Sequence, residues 1–204
     1  IYSSRYSSQQ SSPVNGNHLS NIGSADEDNT LKDRSIRFQH QYKGFENHRI
    51  TSGIEESYYA VRYETNKLDG SVSNTVVFNQ EGFLHAFFLQ DQWIPNDRWD
   101  VQAGYRVSYY NELEGFYGSP RLALKYRVRP GVSLETSLGR HHQFVHRLIG
   151  ENMTRGTRRM WIISSRQIPC ISSLNYHTGL NWEQGYYSLS MSGYYRSLID
   201  IFQF

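Results

Sequence analysis

Apolar and polar residues alternate along most of this chain in runs of about ten residues or more, and a period of two marks a strand with two unlike faces. From 99 to 111, Trp99, Val101, Ala103, Tyr105, Val107 and Tyr109 share one face, while Asp100, Gln102, Gly104, Arg106 and Ser108 share the other. The same alternation runs through 34–42, 120–128, 132–139, 173–182 and 186–195, and more weakly through 48–62. Residues 81–93 are apolar on both faces in part, and the sequence does not assign their sides. Nine strands are predicted, near 1–9, 31–42, 48–62, 80–93, 99–111, 119–129, 132–141, 171–182 and 186–200.

Such strands exceed the usual soluble length of about five or six residues. They match the roughly ten tilted residues that cross a bilayer. Alternation by itself fits either a soluble sandwich or a membrane barrel, and the connections separate the two. Short ones (Lys43 to Asn47, Ile94 to Asp97, Pro130 with Gly131, Glu183 to Gly185) alternate with long ones at 10–30, 63–80, 112–118 and 142–170. Outer-membrane barrels have this asymmetry, with tight turns at one rim and long loops at the other. Trp93, Trp99 and Trp182 stand beside short turns, whereas Tyr58, Tyr59, Tyr109, Tyr110 and Tyr117 stand toward the long loops. Those positions suit two aromatic girdles at the headgroups. The expected class is therefore all-β, an antiparallel transmembrane β-barrel segment.

Composition removes several alternatives. The mean hydropathy of −0.65 hides a membrane protein if half of each strand faces water. No run approaches the 18 apolar residues of a spanning helix. One Cys builds neither a disulfide framework nor a Cys-rich zinc site. A net charge of +2 gives no reason to expect nucleic acid as a partner. The chain opens on Ile1 without a basic segment leading into an apolar one, as a mature form or a piece of a longer protein would. An odd strand count leaves edges that lipid does not tolerate, so the expectation is an arc of a larger barrel.

Several segments resemble the barrel of TonB-dependent outer-membrane receptors, especially those of Bacteroidota-type bacteria. FFLQDQWIPNDRWDVQAGYRVSYYN (87–111) is similar to that family's strand–turn–strand unit through Gln90, Asp91, Trp93, Gly104 and Arg106. SPRLALKYRVRPGVSLETSLGRHHQF (119–144) resembles the next hairpin, opening on Pro120-Arg121 and closing on Ser137 to Arg140. MWIISSRQIPCISSLNYHTGLNW (160–182) resembles the stretch that crosses the outer mouth and re-enters as a strand, with Tyr176, His177 and Gly179. SLSMSGYYRSLID (188–200) and HLSNIGSADEDNT (18–30) resemble a later strand and an outer loop. Cys170 departs from the pattern, standing where a second Pro is expected, and the plug domain and TonB box are absent. The resemblance implies a barrel of about 22 strands, of which residues 1–204 supply a part. It also implies an outer-membrane location, TonB as a partner through the missing plug, and uptake of a scarce nutrient such as a ferric siderophore. The competing classes are a passive porin or adhesin barrel and a soluble β-rich binding module.

The polar residues fit binding better than catalysis. No Gly-x-Ser-x-Gly elbow, His-Glu-x-x-His or phosphate loop occurs. Arg140-His-His-Gln-Phe-Val-His-Arg147 gathers three His, but His141 and His142 point to opposite faces of a strand, which argues against a metal site. No metal or other cofactor is expected. Arg147, Arg155, Arg158, Arg159 and Arg166, with His142 and His146, are the candidate substrate-binding residues. Their forked donors suit an anionic small-molecule ligand, although membrane lipid or lipopolysaccharide phosphates would satisfy them too. Arg106, Arg121, Lys125, Arg127 and Glu135 form a second set on the polar face. By the resemblance they would meet the plug, and simple hydration of a lumen would suit them equally.

Overall fold

The computed structural model describes residues 2–15, 22–69, 72–152 and 156–200, and side chains outside 10–25, 67–72 and 149–159. Nine strands form one antiparallel sheet: β1 (Tyr2–Asn15), β2 (Ile22–Tyr42), β3 (His48–Asp69), β4 (Val72–Asn96), β5 (Trp99–Tyr110), β6 (Gly115–Arg129), β7 (Val132–Gln143), β10 (Ile171–Gln184) and β11 (Tyr187–Ile199). They pair in chain order, except that β8 (Val145–Asn152) and β9 (Gly156–Ile163) form a separate hairpin between β7 and β10. All nine predicted strands are present. The short turns carry the positive-φ residues that tight reversals need: Asn47, Gly131 and Gly185. At Gly131, where φ is 76°, an added Cβ would also run into the Glu183 carbonyl of the neighbouring turn.

All four predicted long loops differ from what is found. Much of 10–30 and 63–80 is paired strand, because the β1–β2, β2–β3 and β3–β4 ladders continue far past the apolar band. These extensions are largely polar on both faces, and the one apolar run, Val76 to Phe78, is consecutive rather than alternating, so they show no period of two in the sequence. The connection 112–118 is one helical turn, Asn111–Leu113, closed by Glu114 in the left-handed region, after which β6 begins at Gly115. The connection 142–170 holds the β8–β9 hairpin, which folds back over one side of the sheet and defines its inner face.

On the opposite, outer face stand Ile36, Phe38, Ile54, Phe87, Leu89, Tyr105, Leu122, Leu134, Leu138, Leu189 and Met191, all exposed. An apolar side chain of that size forgoes about 1.5–3 kcal/mol when it stays in water, and a patch this wide is not the surface of a free soluble domain. Trp93, Trp99 and Trp182 lie on this face beside the short turns, where they were expected. The tyrosines divide. Tyr58 and Tyr109 are outward, but Tyr59, Tyr110 and Tyr117 turn inward and pack with Leu84, Phe144 and Cys170. The ambiguous stretch is resolved too. Leu84, Ala86 and Phe88 are buried on the inner face, and Phe83, Phe87 and Leu89 are exposed on the outer one. Both faces are apolar because the inner one is covered by the chain's own hairpin and by an arginine.

Candidate functional site

The inner face carries the sheet's least exposed charge cluster. Cross-strand register places Glu55 of β3 opposite Arg37 of β2 and one rung from Arg106 of β5. Arg106 donates through both terminal nitrogens to the Glu55 carboxylate, at 2.8 and 3.3 Å, a forked geometry a lysine could not copy. Arg37 approaches the same carboxylate at 3.6 Å, and its guanidinium lies 4.4 Å over the Phe88 ring. Gly53, the register partner of Phe88, makes room for that ring, because a Cβ there would strike it. Burial of a Phe in a polar-facing row thus has a cause: it is the platform on which Arg37 lies.

One rung lower, Arg121 falls in register between Gly104 and Gly139, which leaves it open space on both sides. Its contact is His141 Nδ1 at 3.5 Å. It borders a depression of about 320 Å³ that Gln102, Ser137, Asn175 and His177 also line. Arg196 of β11 donates to Asn175 at 2.7 Å. Arg37, Arg106 and Arg121 therefore gather near Glu55, with Asp33 as a second carboxylate on the same face, while Arg196 stands strands away beside Asn175 and His141. Toward the short-turn rim, Lys125 and Glu135 are register partners. Arg127 donates to the Asp97 carbonyl at 2.6 Å and so helps to hold the Ile94–Asp97 turn. The five polar-face residues named from sequence thus share a face but not a single cluster.

At the long-loop end the β8–β9 hairpin covers the inner face. Asn29 of β2 grips its backbone: the Trp161 N–H donates to Asn29 Oδ1 at 2.6 Å, and Asn29 Nδ2 donates to the Trp161 carbonyl at 3.3 Å. Ile163 N–H reaches Gln80 Oε1 at 3.4 Å. Leu31, Val61 and Ile163 close a small apolar core with Tyr59, Val145 and Trp161 around it. At the base of the hairpin, Phe144 stacks on Tyr110 and meets Tyr117 edge-on.

The candidate substrate-binding residues scatter around this hairpin. Arg147 lies 5.6 Å over the Trp161 ring. Arg166 is bound to Glu114 at 2.6 Å, both exposed. His142 packs edge-on to Tyr117 and bonds Ser119. His146 is only 3% exposed and bonds Ser164 at 2.9 Å, so it serves the hairpin's base rather than an open mouth. Burial lowers its pKa to about 4, which keeps the ring neutral near pH 7. Arg158 and Arg159 are on β9, opposite Gly150 and Ile149, and their side chains lie outside the described residues, as does all of Arg155. Among the described residues no group of three or more His, Cys, Asp or Glu side chains is placed to hold a metal. Sequence reading missed Glu55, Arg37 and Asn29. Glu55 stands in a weakly patterned run, Arg37 shows its polar face but nothing local tells that it meets Glu55, and nothing local ties Asn29 to Trp161, 132 residues away.

A family model described as TonB dependent receptor-like, beta-barrel, matches residues 1–203. A search of curated proteins finds no match. Among solved structures, the ferric yersiniabactin uptake receptor FyuA of Yersinia pestis superposes with a TM-score of 0.63 at 12% identity, over 89% of this chain and 31% of that one. The siderophore receptor PirA of Acinetobacter baumannii gives 0.56 at 11%, over 98% and 31%. A mutant of the ferric enterobactin receptor PfeA of Pseudomonas aeruginosa, in complex with enterobactin, gives 0.56 at 11%, over 86% and 27%. The chain thus spans about a third of each solved receptor or less, and at these identities the likeness is one of fold.

Proposed function

The chain belongs to the TonB dependent receptor-like β-barrel family, and from that premise we propose that it forms part of the wall and outer loops of a bacterial outer-membrane receptor that takes up a scarce nutrient. The family and the solved neighbours are transport receptors and not enzymes. The observation that carries the proposal is the two-faced sheet. Its outer face is an exposed apolar band, and its inner face is charged and covered at one end by the β8–β9 hairpin. Lipid satisfies the first, and a wet lumen with a plug satisfies the second. Strands beyond β1 and β11 would close the barrel, because unpaired edges are not tolerated in hydrocarbon. TonB would act through a plug domain, and Arg106 and Arg121 are the inner-face cations best placed to meet one.

The ligand class we propose is an anionic small molecule such as a ferric siderophore complex. Support comes from the basic hairpin itself, since Arg158 and Arg159 are carried on the strand that folds over the inner face. The test is uptake of radiolabelled iron as an anionic complex by cells whose full-length receptor carries Arg158→Ala with Arg159→Ala. Uptake should fall several-fold at unchanged receptor abundance. Undiminished uptake of every anionic complex tried would sink this ligand assignment.

A further inference from the structure

One edge of the sheet is left open by the chain itself. β5 pairs with β4 only as far as Tyr110, opposite Leu84. β3 and β4 stay paired well beyond that, to Asp69 and Val72, with no shift of register. The edges of β1 and β11 are where further barrel strands would pair. β4 already has its neighbour in β5, which turns away into Asn111–Leu113. The Phe83 N–H points to the vacated side and is accepted by Asn111 Oδ1 at 2.7 Å. Backbone groups point to alternate sides along a strand. Ser73, Thr75, Val77, Asn79 and Glu81 therefore aim their N–H and C=O groups the same way, and among the described residues those groups have no backbone partner.

Exposed edges are usually blunted by Lys, Pro or a bulge. From Ser73 to Glu81 this one has no Lys, Arg or Pro and no bulge. It carries Val76, Val77 and Phe78 instead, 56, 45 and 52% exposed. Its height makes it reachable. Counted from the rung of His48 and Trp93, roughly ten residues of tilted strand cross an apolar band and arrive at the rung of Tyr58 and Phe83. The open edge starts on the next outward rung, Ala60 and Glu81, in water on the long-loop side. That height rests on the outer-membrane placement proposed above, and the open edge does not.

We propose that the β4 edge from Ser73 to Glu81 is a docking site for an extended peptide segment of a partner protein, added antiparallel as a further strand. Main-chain hydrogen bonds supply affinity in this mode, and alternate side chains supply specificity. β4 descends toward the membrane, so the segment ascends, and its N-terminal end lies over Asn111–Leu113. Glu81, Glu112 and Glu114 stand at that foot, against Arg166, which binds Glu114, and Arg34 across Tyr58. The surplus carboxylate favours a cation at the N-terminal end of the segment. Apolar, β-branched residues suit the three places opposite Phe78, Val77 and Val76, and polar residues suit the rest. A second copy of the chain does not fit. Two receptors in one membrane run their β4 strands in the same direction, whereas an antiparallel ladder needs opposite ones.

The probe is the labelled peptide Lys-Thr-Thr-Val-Ile-Val-Thr-Ser-Thr, titrated onto the full-length receptor in nanodiscs and read by fluorescence anisotropy. It should bind with micromolar affinity. N-methylation of its third, fifth and seventh residues, which face the Asn79, Val77 and Thr75 backbone, should abolish binding. N-methylation of the fourth and sixth should leave it intact. Val77→Pro deletes an edge N–H that no ladder uses, so the fold tolerates it, and it should weaken binding about tenfold or more. Glu81→Gln with Glu112→Gln should weaken binding several-fold at low salt. No binding at millimolar peptide, or equal effects of the two N-methyl patterns, overturns the docking site. So does protection of the Thr75, Val77 and Asn79 amides from hydrogen exchange before peptide is added, because the receptor then covers the edge itself. A receptor dimer that Val77→Pro dissociates makes a second copy the occupant and overturns the peptide assignment. A charged thiol reagent given to intact cells should label Ser73→Cys. Failure to label it there overturns the height above the membrane, while peptide binding to the purified receptor still judges the edge.

Discussion

Glu55 is the side chain on which the inner face turns. Its carboxylate and the Arg106 guanidinium are each 19% exposed, so solvent screens their pairing less than it screens a surface salt bridge. Glu55→Ala leaves Arg37 and Arg106 facing each other and should destabilise the folded protein by about 1–3 kcal/mol, read by urea unfolding of the full-length receptor in micelles. Adding Arg106→Ala should recover part of that loss, as a coupled pair requires. His146 gives a pH signature with a definite sign. Its pKa falls from 6.5 unfolded to about 4 folded, so the unfolded form binds the proton more readily. The stabilisation is complete above about pH 6.5 and is lost as pH falls toward 4. The protection of β8 and β9 amides, taken relative to intrinsic exchange at each pH, should fall as pH drops across that window, and His146→Gln should remove that loss. Gly131→Ala should cost about 1–3 kcal/mol from the left-handed φ, with the clash against the Glu183 carbonyl added.

The β8–β9 hairpin shows where sequence stops being informative. The nine sheet strands announce themselves because each must present one face to a different medium from the other. β8 (VHRLIGEN) and β9 (GTRRMWII) have no such obligation and read as loop. What orders them lies far away in the chain: Asn29, Gln80, Leu31 and Val61. Asn29 is 3% exposed and satisfies both backbone polar groups of Trp161, its N–H and its carbonyl. Asn29→Ala strands these groups at a cost of about 1–3 kcal/mol. Amides of β9 should then exchange about tenfold faster or more, while those of β5 and β6 keep their protection. Uniform loss of protection across the sheet would show that the hairpin is not separately anchored. The charged half of the candidate site was partly legible. Arg106 and Arg121 follow from parity alone, but the carboxylate that engages Arg106 does not.

At the scale of the molecule, the sheet reads as an arc of barrel wall. Alternation, strand length and the ordering of short and long connections were enough to expect that. What they left open was the inner face of 81–93 and the inward turn of Tyr59, Tyr110 and Tyr117, because both depend on the chain folding over itself. An arginine placed at mid-band on the outer face, as in Phe87→Arg, should cost about 2–4 kcal/mol, whereas Ala123→Arg on the inner face should cost much less. The most direct measurement is a cysteine scan of the full-length receptor in outer membranes, in a Cys170→Ser background. Single cysteines go at Phe87, Tyr105, Leu122 and Leu134 on one face and at Ala86, Gly104, Ala123 and Ser137 on the other. A spin-labelled lipid should quench a fluorophore on the first set only, and a bulky charged thiol reagent should spare that set while reaching the second wherever the plug leaves room. Quenching that ignores the period of two, or free labelling of Phe87→Cys and Leu122→Cys by the charged reagent, would contradict the two-faced membrane wall.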